Sequence, residues 1–387
     1  MDSSTSCVPT LKWLLYQLFR FKELKKKTAQ MLGKSARPNL NLSQVSEMME
    51  KLFKLTPTKL HTLPSYDDQN FYVATSEGKE YVLKILNSED SQNPTMFEVQ
   101  TYAMSFLHQK GLPAQTALPN ISGELMSLEE IDCGQGCQKF LVRLLTYLPG
   151  TTVSKDHLTA KLLYDAGKMA ATMDMMLKEM EHPDLPVLER KGFRWSLSCV
   201  PMMESYLHIL DGDPLQDIVR SVIQQYKTLV APKYSEFSKG VIHGDFNNLN
   251  MLVRSDEGGE FKVIGILDFG DMHSDVHVHE LAITIMYLMT EHPDPIEVGG
   301  PVLAGWESLF PLNESERECL FTLVLCRFCQ SLLYARYFVI LNPENEEYLM
   351  ISSKRGLGIL KQLMELGKEK VEKVWFESAA EFRDGEE

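Results

Sequence analysis

Residues 243–250 read His-Gly-Asp-Phe-Asn-Asn-Leu-Asn, and residues 266–271 read Ile-Leu-Asp-Phe-Gly-Asp. Two short apolar runs between these motifs have the composition of β-strands. Asp245 and Asn250 lie five residues apart on a polar turn, and Asp268 follows the second apolar run. Because a β-hairpin brings its two ends together, the pattern predicts that these three polar side chains share one site.

Phosphoryl transfer is the chemistry that this pattern indicates. The reaction requires a carboxylate that orients and deprotonates the acceptor hydroxyl, and oxygen ligands that hold Mg²⁺ against the phosphates. We expect Asp245 to be the base and Asn250 and Asp268 to be Mg²⁺ ligands, since a hard cation prefers oxygen. An Asx-rich turn would explain Asp245 and Asn250 alone, but not the second motif at this spacing. His243 is expected to support the loop through hydrogen bonds.

A lysine lies inside an apolar, strand-like run, Tyr81 to Ile85. Burying the ammonium group of Lys84 is costly unless it finds a partner, and nucleotide phosphates with a helix carboxylate would supply one. Glu98 follows 14 residues later on the next predicted helix, a separation that suits a Lys–Glu pair. We therefore predict that Lys84 and Glu98 lie at the nucleotide phosphates.

The hairpin that precedes Lys84 contains no glycine-rich phosphate loop. Residues 63–71 read Leu-Pro-Ser-Tyr-Asp-Asp-Gln-Asn-Phe. Ser65, Gln69 and Asn70 are predicted to offer hydroxyl, amide and backbone donors to phosphate instead. An Ala-Pro-Glu segment after the second motif is also missing from the sequence, which argues against a protein substrate.

The chain is predicted to have an α+β architecture with two lobes. Residues 41–148 indicate a small, β-rich, nucleotide-binding lobe, and residues 149–387 a mainly helical lobe that carries the catalytic motifs and binds the substrate. The Pro149-Gly150 step marks the boundary. Residues 1–40 form a basic extension, with eight basic and two acidic residues up to position 37, and we expect it to pack loosely. A single long helix is predicted from Asn345 to Glu377.

The amino-acid composition of the chain argues against several classes of function. The net charge of −14 over 387 residues argues against a nucleic-acid binder, because phosphate contacts need a basic face. Seven scattered cysteines, an odd number, suit a reducing compartment. The longest apolar runs are shorter than the roughly 20 residues of a membrane span.

The two motifs resemble those of the aminoglycoside phosphotransferase and choline kinase superfamily, whose members use a protein-kinase-like fold on small substrates. Longer strings narrow the resemblance to an amino-acid kinase of this superfamily; they are residues 63–71, 142–150 (Val-Arg-Leu-Leu-Thr-Tyr-Leu-Pro-Gly), 265–272, 282–287 (Ala-Ile-Thr-Ile-Met-Tyr) and 298–305 (Val-Gly-Gly-Pro-Val-Leu-Ala-Gly). The likeness covers about residues 42–377. It implies the site roles given above, and transfer of the terminal phosphate of GTP to the hydroxyl of 5-hydroxy-L-lysine in the cytoplasm.

Several points stay open at this stage. Asp271, Asp275 and Glu280 either hold ammonium groups of the substrate through charge-assisted hydrogen bonds or are solvated turn residues. One alternative function is a kinase of the same superfamily that phosphorylates another amino alcohol or an aminoglycoside with ATP. Another is a non-catalytic, nucleotide-binding scaffold, against which the complete set of motif residues argues.

Overall fold

The computed structural model describes residues 37–133 and 136–384. Most of the predicted basic extension therefore lies outside the described residues. At its end, Leu40 is buried, and its backbone N–H and C=O bond to the two polar atoms of the Gln69 side chain at 2.8 and 2.9 Å. Arg37 Nε also donates to the Asp68 backbone oxygen at 3.3 Å, so the chain is attached to this part of the protein from the first residue that the structure describes.

A six-stranded antiparallel sheet forms the first part of the structure. Its strands are β1 (Pro57–Leu63), β2 (Gln69–Thr75), β3 (Glu80–Ile85), β4 (Ala117–Leu118), β5 (Ser127–Asp132) and β6 (Cys137–Thr146). Their spatial order is β1-β2-β3-β6-β4, and β5 also pairs with β6. Side chains alternate between the two faces of a strand, so Lys84 of β3 points away from the apolar cluster that holds Leu83 and Ile85.

Two helices cover this sheet. Helix α1 (Leu42–Phe53) begins with a capping box between Asn41 and Gln44, which satisfies free N–H groups of its first turn. Its buried residues pack in the same cluster as Leu83. Helix α2 (Pro94–Gln109) has proline in its first turn, where a missing N–H costs nothing. Its apolar residues join the larger core instead, so α2 links the sheet to the rest of the protein.

The remainder of the chain is mainly helical. Its α-helices are α3 (Ala160–Lys178), α4 (Leu215–Gln225), α5 (His277–Glu291), α6 (Gly299–Glu307), α7 (Glu314–Leu341), α8 (Glu346–Leu349), α9 (Ser353–Leu366) and α10 (Lys368–Asp384). Short strands pair within it: β7 (Thr151–Thr152), β8 (Lys239–Ile242), β9 (Met251–Ser255), β10 (Phe261–Ile266) and β11 (His273–Val276). The expected α+β arrangement, with a β-rich first part and a mainly helical second part, is confirmed, whereas the exact lobe boundary at 148/149 stays a prediction.

Helix α7 is the central helix of the core. Among the described residues, it is the helix long and apolar enough to cross a membrane by length and composition, yet most of it is buried inside the protein. Arg327 and Gln330 are buried within this apolar segment, and their polar groups bond to the segment around Trp195. Helix α7 thus holds the segment around Trp195 through hydrogen bonds as well as apolar packing.

The prediction of one continuous helix from Asn345 to Glu377 is wrong. The structure divides this stretch into α8, α9 and α10. Gly367 has a φ of 77° and separates α9 from α10, a conformation that glycine adopts without the steric cost of a Cβ atom. The helix is therefore interrupted where the sequence indicated one continuous helix.

Candidate active site

A cleft of about 700 Å³ lies between the sheet and the helical part. Lys84 from β3, Asp245 and Asn250 from the first motif, and Asp268 from the second motif all line it. These residues are spread over 185 positions of sequence, from 84 to 268. The predicted convergence of the motif residues with the lysine strand is therefore seen in the tertiary structure.

The Asp245 carboxylate is held at both oxygens. Its Oδ1 accepts a hydrogen bond from Arg327 Nη2 at 3.0 Å, and its Oδ2 accepts one from Asn250 Nδ2 at 3.0 Å. Burial and the nearby Asp271 carboxylate raise the pKa of Asp245 to about 8, although Arg327 opposes the shift. A carboxyl group with a pKa near neutrality is suited to proton transfer at physiological pH.

The backbone of this loop takes a conformation that requires glycine. Gly244 has a φ of 79°, and a Cβ atom there would lie 2.6 Å from the backbone oxygen of Asp271. Next to it, His243 is fully buried, with Nε2 donating to the Leu267 oxygen at 2.9 Å and Nδ1 accepting from the Asp245 N–H at 3.2 Å. Burial lowers the pKa of His243 to about 4, so the ring is neutral and joins the two motifs.

Glu280 lies beneath the same loop and not in the cleft. It is fully buried, and its carboxylate accepts hydrogen bonds from the backbone N–H groups of Gly244 at 2.8 Å and Phe246 at 3.3 Å. Burial and the Asp174 carboxylate raise its pKa to about 8. The suggested contact of Glu280 with substrate is therefore wrong, because its carboxylate is occupied by the loop backbone.

Asp275 is likewise an internal residue. Its carboxylate accepts hydrogen bonds from the Ser196 hydroxyl and from the Tyr234 hydroxyl at 2.8 Å, and lies 3.1 Å from a ring nitrogen of His279. The suggested substrate role of Asp275 is wrong, since these buried groups surround it. Of the three suggested substrate-binding residues, Asp271 is the one that lines the cleft.

Lys84 binds two carboxylates. Its Nζ lies 2.7 Å from Asp268 Oδ1 and 3.2 Å from Asp68 Oδ2. Burial of the amine opposes its charge, but Asp268 and Asp68 outweigh that effect and raise its pKa. The side chain thus stays cationic at the edge of the cleft.

The predicted pairing of Lys84 with Glu98 is wrong. Glu98 is exposed on the outer side of α2. Two positions later, Gln100 is fully buried and its Nε2 donates to the Gly270 oxygen at 3.1 Å. Because successive helix residues are about 100° apart, a residue two positions from an inward-facing side chain points outward.

The three polar residues of the preceding hairpin take different places. Ser65 and Asn70 line the cleft, and Ser65 Oγ donates to the Asp68 oxygen at 2.7 Å. The Oδ1 atom of Asn70 is buried without a hydrogen-bond partner in the part of the chain that the structure describes. Gln69 bonds to Leu40 with both polar atoms, so its predicted phosphate contact is wrong.

Asn250 and Asp268 form a donor set that suits a hard divalent cation. Asn250 Nδ2 donates to both the backbone oxygen and Oδ2 of Asp245, which leaves the amide oxygen on the opposite side. Burial disfavours ionisation of Asp268, but Lys84 and Arg143 prevail and lower its pKa to about 2. In the described ranges, no group of three or more His, Cys, Asp or Glu side chains forms a metal site. A cation would therefore complete its shell with phosphate oxygens and water.

Sequence reasoning missed several charged residues of the cleft, among them Asp68, Arg190 and Arg327. Arg327 had a usable signal, because it is the charged residue of the apolar run from Phe321 to Leu333, and such residues are rarely buried without a partner. Asp68 and Arg190 lie in polar stretches of sequence, where nothing local distinguishes them from surface residues.

Fold and site together define a protein-kinase-like phosphotransferase that acts on the hydroxyl group of a small molecule. Residues 59–318 match the phosphotransferase enzyme family, and the chain belongs to that family. The hydroxylysine kinase of Danio rerio is 57% identical over 353 residues, which cover 91% of this chain and 99% of that protein. The hydroxylysine kinase of Xenopus laevis is 48% identical over 354 residues, 89% of this chain and 95% of that protein.

A solved structure shows the same fold. Amicoumacin kinase in complex with AMP-PNP and Ca²⁺ superposes with a TM-score of 0.60 over 81% of this chain and 94% of that chain, at 15% sequence identity. At this identity the similarity concerns the fold alone.

Proposed function

We propose that this enzyme transfers the terminal phosphate of GTP to the hydroxyl of 5-hydroxy-L-lysine in the cytoplasm and produces 5-phosphohydroxylysine. The observation that carries the proposal is the Asp245 carboxylate, held beside Asn250 and the Lys84–Asp268 pair in one cleft. The two relatives named hydroxylysine kinase, similar over nearly their full lengths, support the choice of substrate.

In the proposed reaction, Asp245 orients the substrate hydroxyl and accepts its proton as the oxygen attacks the terminal phosphorus, while the bond from that phosphorus to the β-phosphate oxygen breaks and GDP leaves. Asn250 and Asp268 would hold Mg²⁺, which neutralises charge on the phosphate oxygens when bound. Lys84 binds the phosphates from the side of the sheet, together with Ser65 and Asn70. His243 keeps the loop of Asp245 attached to the loop of Asp268.

The charges around Asp245 support a substrate that carries both ammonium and carboxylate groups. Burial and the Asp68 carboxylate raise the pKa of Asp67 to about 8, and burial also raises the pKa of Asp271; both residues line the cleft. A cationic ligand would offset the repulsion between these neighbouring carboxylates. We infer that Asp271 binds an ammonium group of hydroxylysine.

Arg190 is the residue that we infer to bind the substrate carboxylate. Its Nη1 donates to the Gly270 oxygen at 2.9 Å, and its guanidinium lies 3.6 Å from the centre of the Phe193 ring. Arg190 makes no ion pair with a carboxylate in residues 37–133 or 136–384, whereas Lys84 and Arg327 do. Its remaining donors suit a planar carboxylate.

A substrate panel tests the proposed function. ATP and GTP are each combined with hydroxylysine, lysine, choline or homoserine, and phosphate transfer is measured with Mg²⁺ and with EDTA. We expect activity with GTP, Mg²⁺ and hydroxylysine, and no phosphorylation of lysine, which lacks the hydroxyl group. Preferential phosphorylation of choline or homoserine would overturn the proposed substrate, and equal rates with ATP would overturn the proposed donor.

A further inference from the structure

We propose that Arg327 is a positioning residue for Asp245, which holds one oxygen of the carboxylate so that the base faces the acceptor hydroxyl in a single orientation. This inference rests on the role of Asp245 in the proposed function. It concerns a residue of α7, 82 positions away from the base in sequence, and not a residue of either motif.

The contact between the two residues is direct, and its arginine side is buried. Arg327 Nη2 lies 3.0 Å from Asp245 Oδ1, and the two side chains are 1% and 25% exposed, respectively. A charge-assisted hydrogen bond of this length is among the stronger polar contacts in proteins, and partial removal of water strengthens it further.

The guanidinium group is itself held in place. Its Nη1 donates to the backbone oxygen of Trp195 at 2.9 Å. The rings of Trp195 and Tyr287 have their centres 5.2 and 5.3 Å from its central carbon. Because contacts on several sides restrain Arg327, it presents Nη2 to Asp245 in one geometry.

The other carboxylate oxygen is restrained by the first motif. Asn250 Nδ2 donates to Oδ2 of Asp245 at 3.0 Å, so donors from two distant parts of the chain fix the rotamer. Each carboxylate oxygen can accept two hydrogen bonds, which leaves room for the substrate hydroxyl. A displacement of a reacting group by about 1 Å can cost about 100-fold in rate, and this restraint prevents such a displacement.

A competing explanation is that Arg327 only supports the segment around Trp195. Gln330 allows the two explanations to be separated, because it lies one turn further along α7 and supports the same segment. Its Nε2 donates to the backbone oxygens of Arg194 at 3.2 Å and Ser196 at 2.9 Å. The substitution Gln330→Met removes this support without removing a donor to Asp245.

The experiment compares kcat and the KM of each substrate for Arg327→Met, Arg327→Lys, Gln330→Met, Asp245→Asn and the Asp245→Asn/Arg327→Met double variant. We expect Arg327→Met to lower kcat about 100-fold with an unchanged nucleotide KM, and Arg327→Lys, which keeps one donor, to lose less. Gln330→Met should keep kcat within about threefold even where its melting temperature falls. In the Asp245→Asn background, Arg327→Met should cause no further loss, since the residue acts through the base.

Chemical rescue gives a second measurement that a merely structural role would not affect. Millimolar guanidinium should restore part of the kcat of Arg327→Ala and leave Gln330→Met unchanged. Equal kcat losses for Arg327→Met and Gln330→Met would overturn the positioning role. So would a double variant whose loss in kcat equals the product of the two single losses. In both cases Asp245 would remain the base. Full activity of Asp245→Asn would instead overturn the role of Asp245 as the base, on which this inference rests.

Discussion

Lys84 and Asp268 lie 184 positions apart in sequence, and their side chains form a bond of 2.7 Å between Nζ and Oδ1. The lysine comes from the third strand of the sheet and the aspartate from the turn that follows β10. This pair connects the two parts of the protein across the cleft. Asp68 contributes a second carboxylate to the same amine at 3.2 Å.

Asp245→Asn tests the base. The substitution retains the shape of the side chain, but it removes the proton acceptor and replaces one of the two accepting oxygens with an amide donor, so we expect kcat to fall about 10²- to 10⁴-fold. Nucleotide affinity should stay close to that of the unmodified enzyme, since the nucleotide does not depend on this proton transfer. Steady-state kinetics and nucleotide titration measure both quantities. Asp256→Asn, in an exposed hairpin, is the control, and an active Asp245→Asn enzyme would contradict the assignment.

Asp268→Ala tests the cation site. Removing a charged ligand costs about 1.5–3 kcal/mol, so the Kd of the Mg²⁺–nucleotide complex should rise at least about tenfold. Titration calorimetry with Mg²⁺ and with EDTA checks this expectation. Without the metal, Asp268→Ala and the unmodified enzyme should bind nucleotide similarly. An identical metal dependence for both proteins would exclude Asp268 as a ligand.

Asp68→Asn and Glu98→Gln compare the observed and the expected partner of Lys84. Neutralising Asp68 removes one of the two carboxylates that pair with the buried Lys84 amine, so it should lower the free energy of unfolding by about 1–3 kcal/mol. Glu98 is exposed, and its substitution should change that free energy by less than about 0.5 kcal/mol. Urea denaturation measures both. If Glu98→Gln lowered the free energy of unfolding more than Asp68→Asn, the result would support the Lys84–Glu98 pair and contradict the structure.

Glu280→Gln tests the buried carboxyl under the catalytic loop. Its pKa is about 8 in the folded protein, above the ordinary value of 4.5. Between these values the folded state binds a proton that the unfolded state has released, so this group's contribution to stability is lost as the pH rises from about 5 to 8. The glutamine of Glu280→Gln does not titrate. Its free energy of unfolding should therefore fall less than that of the unmodified protein between about pH 5 and 8.

The measurement for Glu280 is the urea midpoint at several pH values between 5 and 8. Glu257→Gln changes an exposed glutamate and should keep the pH dependence of the unmodified protein. A Glu280→Gln protein with that same dependence would show that the carboxyl is not protonated in the fold.

Arg190→Met tests recognition of the substrate carboxylate. The corresponding diamino alcohol, which lacks the carboxylate, should be a poorer substrate than hydroxylysine for the unmodified enzyme. We expect Arg190→Met to reduce the ratio of the two kcat/KM values about 10- to 100-fold, the effect of one lost charged contact. Arg194→Met is the matched control, because Arg194 packs over the Tyr337 and Phe338 rings at 5.7 and 5.3 Å. Loss of discrimination in the control but not in Arg190→Met would reverse the assignment.

By itself, the sequence determined the two-part α+β architecture and the motif residues that meet in the cleft. Asp245 and Asn250 share one turn, Asp268 ends the adjoining hairpin, and strand alternation directs Lys84 away from the buried face, so local spacing carried this information. Only the tertiary structure decided the partners of these residues. Glu98 points outward because of the rotational phase of α2, and Glu280 and Asp275 turn into the interior. Arg327 reaches Asp245 from a distant helix because packing between elements, which local patterns do not record, sets the orientation of α7.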